Sequence, residues 1–204
     1  MLKELLLWLL ISILISSLSQ IVLSLYLKKV RGLIISINDI LLGGIILLVG
    51  FGLWHLFGFS LILIFDLLVV ATLLIILRVD EAILIIPDLL NLFILILAIV
   101  KMVYNHQIDY YNLVATLVLT SILVLANILY KKKKGIEAIG YGDLKLLLVY
   151  ALYMSLTSAC ISLFIASLSA VIVEIIVKKR SRQLFPFGPY LAIGMIIALF
   201  LKFI

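Results

Sequence analysis

The sequence predicts an all-α polytopic membrane bundle of about eight transmembrane helices, with both ends external. Three observations predict it. Hydrophobic residues make up 67% of the 204 residues and mean hydropathy is +1.43, where an ordinary soluble domain is roughly half apolar. Charged residues are only 13%, and a soluble chain of this size has no single core that would hide so much apolar surface. Apolar runs recur along the whole chain with basic clusters between them. A cleaved signal peptide would supply only one such run, whereas lipid receives them all as helices.

The spans follow in order. Span one is expected over about 5–27 and closes on Lys28, Lys29 and Arg31. Span two is expected over 37–57, and span three over 61–77, stopping at Arg78. Span four covers about 89–104 and a polar link occupies 105–109. Span five covers 111–130 and ends in Lys131, Lys132, Lys133 and Lys134. The stretch 144–177 has one acid, Glu174. As a single helix it would be about 50 Å long, against roughly 30 Å of hydrocarbon. It is therefore split near 155–158 into a short span six and a span seven. Span eight is expected over about 189–203.

Orientation follows from the basic residues. With the N-terminus outside, 13 of the 16 basic residues fall on the inner side, leaving only Lys3, Lys101 and Lys202 toward the outside. The basic loops are then cytoplasmic. Residues 1–204 read as one membrane-embedded domain whose largest loops have about 10–13 residues. Trp8 and Trp54 read as outer-interface anchors. The net charge of +6 sits in these loops, so it speaks for the positive-inside pattern and not for a nucleic-acid partner. Cys160 is the only cysteine. It excludes an intrachain disulfide and a cysteine-based zinc site, and it reads as a small residue packed in a helix. No metal or cofactor is expected, and His55 and His106, on the outer side, are given no catalytic role.

Acids at membrane depth are costly and often functional. Asp80, Glu81 and Asp88 lie between spans three and four, and Asp143 lies at the start of span six. The topology puts all four at the cytoplasmic surface. Two carboxylates sharing a site cannot both ionise cheaply, so one keeps a proton. Such a pair offers a general acid and a general base and can activate water against a peptide carbonyl. Equally, these acids can be loop residues balancing Arg78 and Lys145. Composition and topology do not separate the two readings.

Gly140-Tyr141-Gly142-Asp143 puts two glycines just before an acid at a helix start. Glycine permits tight turns and close approach of another backbone. An acid in a first turn faces the positive end of the helix dipole, which favours its ionised form and casts Asp143 as the base. The required further glycines and terminal Lys-Ser or Lys-Thr of nucleotide-binding loops are missing. Pro186-Phe187-Gly188-Pro189-Tyr190 opens span eight. It reads as helix initiation, with a wall of a binding site as the alternative. Asp39 and Asn38, near the start of span two, read as cap residues. Glu174 is placed to pair with Lys178 at i,i+4.

These blocks, in this order and on one membrane side, resemble the type IV prepilin peptidases, membrane aspartyl proteases with a Gly-x-Gly-Asp motif. Asp80, with six residues before Pro87-Asp88, resembles the family's first catalytic block. The run 140–146 resembles the second, and 186–194 the C-terminal block. The resemblance implies that Asp80 and Asp143 are the catalytic aspartates. It assigns supporting or substrate-binding roles to Gly140, Gly142, Lys145, Asp88, Glu81, Pro186 and Gly188. Asp39 stands where the family usually has glutamate. The implied substrate is a prepilin or pseudopilin-like precursor with a basic leader and a hydrophobic helix, cut at the cytoplasmic face of the cell membrane. The long bacterial form carries two Cys-x-x-Cys pairs and an Arg-Tyr-Pro stretch after span one. Here the loop 28–36 is nine residues without cysteine, so the N-methylation that accompanies the long form is not expected.

Two other function classes stay in view. A small transporter would want ionisable groups near mid-bilayer and inverted repeats, but the acids gather at one face. A catalytically silent assembly protein of a pilus or secretion system would have no need of both motif aspartates. Oligomeric state and the particular precursor are not legible.

Overall fold

Long apolar runs free of proline fold as helices, because lipid offers no partner for a free backbone N–H or C=O. The structure is a computed structural model that describes residues 2–31, 37–105, 109–135, 137, 139–177 and 187–201, with backbone only at 2, 29–31, 37–40, 174 and 177. Among the described residues there are eight helices and no strand. They are α1 (Leu2–Arg31), α2 (Ile37–Phe57), α3 (Leu61–Ile83), α4 (Asp88–Tyr104), α5 (Tyr110–Lys134), α6 (Tyr141–Tyr153), α7 (Leu156–Val177) and α8 (Gly188–Leu201). Four apolar stretches, Lys3–Lys28, Leu61–Ile83, Tyr110–Lys134 and Leu156–Val173, are long enough to cross a membrane. Shorter apolar stretches lie in α2 and α8.

The main departure from the expected boundaries is in α3, which runs on past Arg78 to Ile83. Charge ends the apolar run there, but charge does not break a helix. Val79, Asp80, Glu81, Ala82 and Ile83 contain no glycine or proline, so the hydrogen-bond ladder continues until Leu84. Leu84 takes a left-handed conformation with φ 58°, and its N–H closes on the Asp80 carbonyl at 2.8 Å.

The chain divides into two compact units, Met1–Val79 and Asp80–Ile204. In the first, α1 packs on α2 through small residues. Ser16 Oγ donates to the Gly43 carbonyl at 3.1 Å, and a Cβ on Gly50 would lie 2.8 Å from Ser12 Oγ. Small residues let helix backbones approach where no hydrophobic force drives association. Trp8 is fully buried in this contact. Its indole N–H donates to the Gly50 carbonyl at 2.7 Å, and its ring meets Phe59 edge-on at 6.0 Å. The expectation of a Trp8 interface anchor is thereby corrected: the glycine at position 50 leaves both the room and the open carbonyl that draw the indole inward.

In the second unit α6 is the central helix, touching α4, α5, α7 and α8. Its 13 residues are buried nearly all round. α7 and α8 pack closely, with Gly194 against the Ser162 carbonyl and the Ala166 amide. Tyr150 OH donates to the Met195 carbonyl at 2.6 Å, joining α6 to α8. α4 runs alongside α6, and Lys101 Nζ lies 3.9 Å from the centroid of the Tyr153 ring. The expected break between spans six and seven falls at Met154 and Ser155. Its freed backbone groups are taken up by Asn112, which accepts from Leu156 N at 2.7 Å and donates to the Ala151 carbonyl at 3.2 Å. Ser155 Oγ caps α7 by accepting from Ser158 N at 3.2 Å. Cys160 is exposed on α7 rather than packed.

Candidate active site

The site is assembled from three helix ends of the second unit. Asp80 comes from the last turn of α3 and is 6% exposed. Its Oδ2 accepts the backbone N–H of Gly188, the first residue of α8, at 3.1 Å. The carboxylate thus caps the positive end of α8. A Cβ on Gly188 would lie 2.6 Å from Asp80 Oδ2 and 2.8 Å from Cγ. Only glycine brings its N–H this close to the carboxylate.

Asp143 comes from the first turn of α6. Its carboxylate folds back toward Gly140, whose backbone N–H favours the ionised form. A Cβ on Gly140 would stand 3.0 Å from Asp143 Oδ2. Gly142 serves a different purpose. A Cβ there would meet Ile86 Cβ at 3.1 Å and Ile86 N at 3.7 Å, so its bareness lets α6 approach the link that follows Asp80. Each glycine of the motif answers its own steric demand.

Asp80, far from Asp143 in sequence, is near enough for its charge to act on Asp143. Asp143 precedes the apolar run that begins at Leu144. Burial pushes its carboxyl up, the charge of Asp80 pushes it further, and the Gly140 N–H opposes both, with the midpoint reaching about 7. Desolvation and a like charge thus act against the first-turn dipole, which favours the ionised form.

The remaining expected residues separate. Lys145 Nζ binds Asp88 Oδ1 at 2.7 Å, tying α6 to α4 on the exposed surface. Glu81 is exposed on α3. Asp39 lies in α2 of the first unit, where only its backbone is described, and the Glu174 side chain is likewise undescribed. Pro186, His106 and Lys178 lie outside the described residues.

Sequence reasoning passed over Asn127. It is 2% exposed on α5, a helix with just one other buried residue, Thr116. Its Nδ2 donates to the Ile139 carbonyl at 2.9 Å, and its Oδ1 accepts from Ile139 N at 3.1 Å. Lys131 adds an ion pair to Glu137 at 2.8 Å. Both contacts hold the segment that leads into Gly140. The available signal was an asparagine well inside an apolar run, where an amide needs a partner. Asn112 gave the same signal at the other end of α5.

Fold and site together define a class: among the described residues, an all-helical protein with four stretches apolar enough to cross a membrane and two aspartates on helix ends, each set against a glycine backbone. The family model described as the type IV leader peptidase family matches residues 67–175, more than half of the chain, and the chain belongs to that family. Two curated relatives, both called prepilin leader peptidase/N-methyltransferase, come from Burkholderia pseudomallei strains 1026b and K96243. Each is 38% identical over 76 residues, which is 35% of this chain and 25% of the relative. The chain therefore aligns with a quarter of the length of these relatives. No solved structure matches significantly.

Proposed function

We propose that the protein is a membrane aspartyl endopeptidase that removes the basic leader from prepilin or pseudopilin-like precursors at the cytoplasmic face of the cell membrane. The observation that carries this is that Asp80 and Asp143 stand on two helix ends, near enough for the charge of Asp80 to act on Asp143. Family membership and the names of the relatives support the substrate class. Residues 1–204 work as one membrane-embedded domain that crosses the bilayer about eight times, with both ends outside and the basic loops inside.

In the proposed reaction Asp143 holds the shared proton and Asp80 is ionised. A water between them attacks the scissile carbonyl carbon. Asp80 takes the water proton as the new C–O bond forms, and Asp143 gives its proton to the carbonyl oxygen. As the C–N bond breaks, Asp80 protonates the leaving nitrogen and one hydroxyl of the intermediate returns a proton to Asp143. Exposed Asp88 and Glu81 favour approach of a basic leader. The short loop 28–36 without cysteine supports cleavage without methyl transfer.

Co-expression with a prepilin-like precursor and a gel shift tests the activity. Cleavage that depends on this protein is expected, and an unshifted precursor with the protein present in the membrane would overturn the proposal. Mass spectrometry of the mature N-terminus should show no added methyl group. Cysteine labelling at position 132 from outside intact cells should fail, and labelling at position 106 should succeed.

A further inference from the structure

We propose that Asn127 is a positioning residue for the reaction, orienting the Ile139–Gly140 peptide so that its N–H holds the Asp143 carboxylate. This inference rests on the peptidase reading of Asp143.

The Ile139 carbonyl and the Gly140 N–H belong to the same planar unit, whose atoms cannot turn independently. Asn127 Nδ2 donates to that carbonyl at 2.9 Å. The nitrogen at the other edge of the plane is that of Gly140, where an added Cβ would stand 3.0 Å from Asp143 Oδ2, and its N–H favours the ionised carboxylate. Asn127 Oδ1 also accepts from Ile139 N at 3.1 Å, so both edges of the amide grip one residue and fix its twist. A hydrogen bond to the carbonyl polarises the peptide and strengthens its N–H as a donor. The chain of contact is therefore Asn127, the Ile139–Gly140 peptide, and Asp143, with no flexible side chain between.

An asparagine is an expensive choice for this place. It lies inside a helix, where it is a poorer former than alanine or leucine, and α5 is otherwise apolar and largely exposed through this stretch. Gly140 takes φ −62° and ψ 140°, a conformation open to many neighbouring geometries, so nothing in its own backbone fixes the plane. Gly135, with φ 75°, turns the chain sharply after α5. Lys131 and Glu137 hold the first part of the segment at the surface, and Asn127 holds the last part in the interior.

The consequence is electrostatic as well as geometric. The Gly140 N–H is the one group that lowers the Asp143 midpoint. Titratable groups on α6 and the elements that meet it include Asp88 on α4, paired with Lys145 on α6, Tyr141, Lys131 on α5, paired with Glu137, and Tyr190 on α8, with Asp80 on α3. Of these, only Asp80 acts on Asp143 through its charge. Freeing the peptide plane removes the opposing bond and sends the midpoint higher.

The test uses the full-length protein in detergent with amounts of folded protein matched. Asn127→Leu should lower kcat by about 10- to 100-fold with KM nearly unchanged. The pH at which turnover is lost on the alkaline side should rise. Asn112→Leu, which removes another paired amide from α5, should lower thermal stability and leave that pH unmoved. If Asn127→Leu does not fold, Asn127→Ser, too short to hold both Ile139 groups, decides in its place. A folded variant with wild-type kcat and an unmoved alkaline limb would overturn the inference. The titration of Asp143, followed by carboxyl NMR, separates this from failure of the peptidase reading. If the wild type cleaves nothing, the Asp143 midpoint should still rise in Asn127→Ser, and an unchanged midpoint would again count against it.

Discussion

Gly188→Ala is the sharpest steric perturbation of the site. The added carbon would lie 2.6 Å from Asp80 Oδ2, 2.8 Å from Cγ and 3.1 Å from Cβ. Comfortable contact begins near 3.5 Å, so the carboxylate oxygen must withdraw by about 0.9 Å. From its present 3.1 Å to Gly188 N, that movement breaks the hydrogen bond. A bond to a charged group contributes about 1.5–3 kcal/mol, which is roughly a 10- to 100-fold loss of turnover at 1.4 kcal/mol per decade. Displacement of the carboxylate from its water adds a loss of the same order. Cleavage of a prepilin-like precursor by purified protein, with kcat and KM separated, is the assay. Gly44→Ala and Gly52→Ala are the controls, since nothing lies within 4 Å of a Cβ at either position. Both should retain full turnover and gain about 0.5–1 kcal/mol of stability. Folded Gly188→Ala with turnover within about twofold of wild type would refute the steric reasoning.

Four further outcomes follow from the same geometry. If Asp143 must carry the proton and its midpoint is about 7, turnover should be present below that pH and fall as pH rises through it. In Asp80→Asn, carboxyl NMR should find the Asp143 midpoint lowered, because one charge is gone, yet still above 3.8, because burial is the larger cause. Asp88→Asn and Lys145→Ala break a pair whose side chains are 75% and 54% exposed; each should cost at most about 1 kcal/mol and less than tenfold in cleavage. Asn112→Leu strands the Leu156 N–H and the Ala151 carbonyl at the α6–α7 break. Thermal unfolding in detergent should show a loss of about 1–3 kcal/mol for each stranded group.

Helix order was legible because each apolar run had to be satisfied internally in lipid. Even the break at Met154 and Ser155 could be inferred from the length of the run alone. The continuation of α3 to Ile83 was hidden because hydropathy falls at Arg78 while helix propensity does not. That extension matters, since it puts Asp80 on a helix and not in a loop. Asp80, Asp143 and their glycines were legible as a pattern, but the separate tasks of Gly140, Gly142 and Gly188 were not. Those depend on which backbone or side chain arrives from another helix. The local dipole is legible at Asp143, but its burial and the Asp80 charge are properties of packing. Trp8 shows the same limit: an aromatic residue near a span end looks like an interface anchor until a glycine carbonyl on the next helix takes its indole.

In the proposed reaction Asp80 and Asp143 share one proton and act as a unit. The most direct measurement compares leader cleavage by purified wild type, Asp80→Asn, Asp143→Asn and the double variant. Asparagine keeps an oxygen that accepts the Gly188 or Gly140 N–H, so each protein should fold and insert. Each single variant should lose on the order of a thousandfold or more in kcat, and the double variant should be no worse than either, because members of one catalytic unit are not additive. Near-normal cleavage by folded Asp80→Asn would contradict the pairing and turn attention to Asp88 as the partner of Asp143.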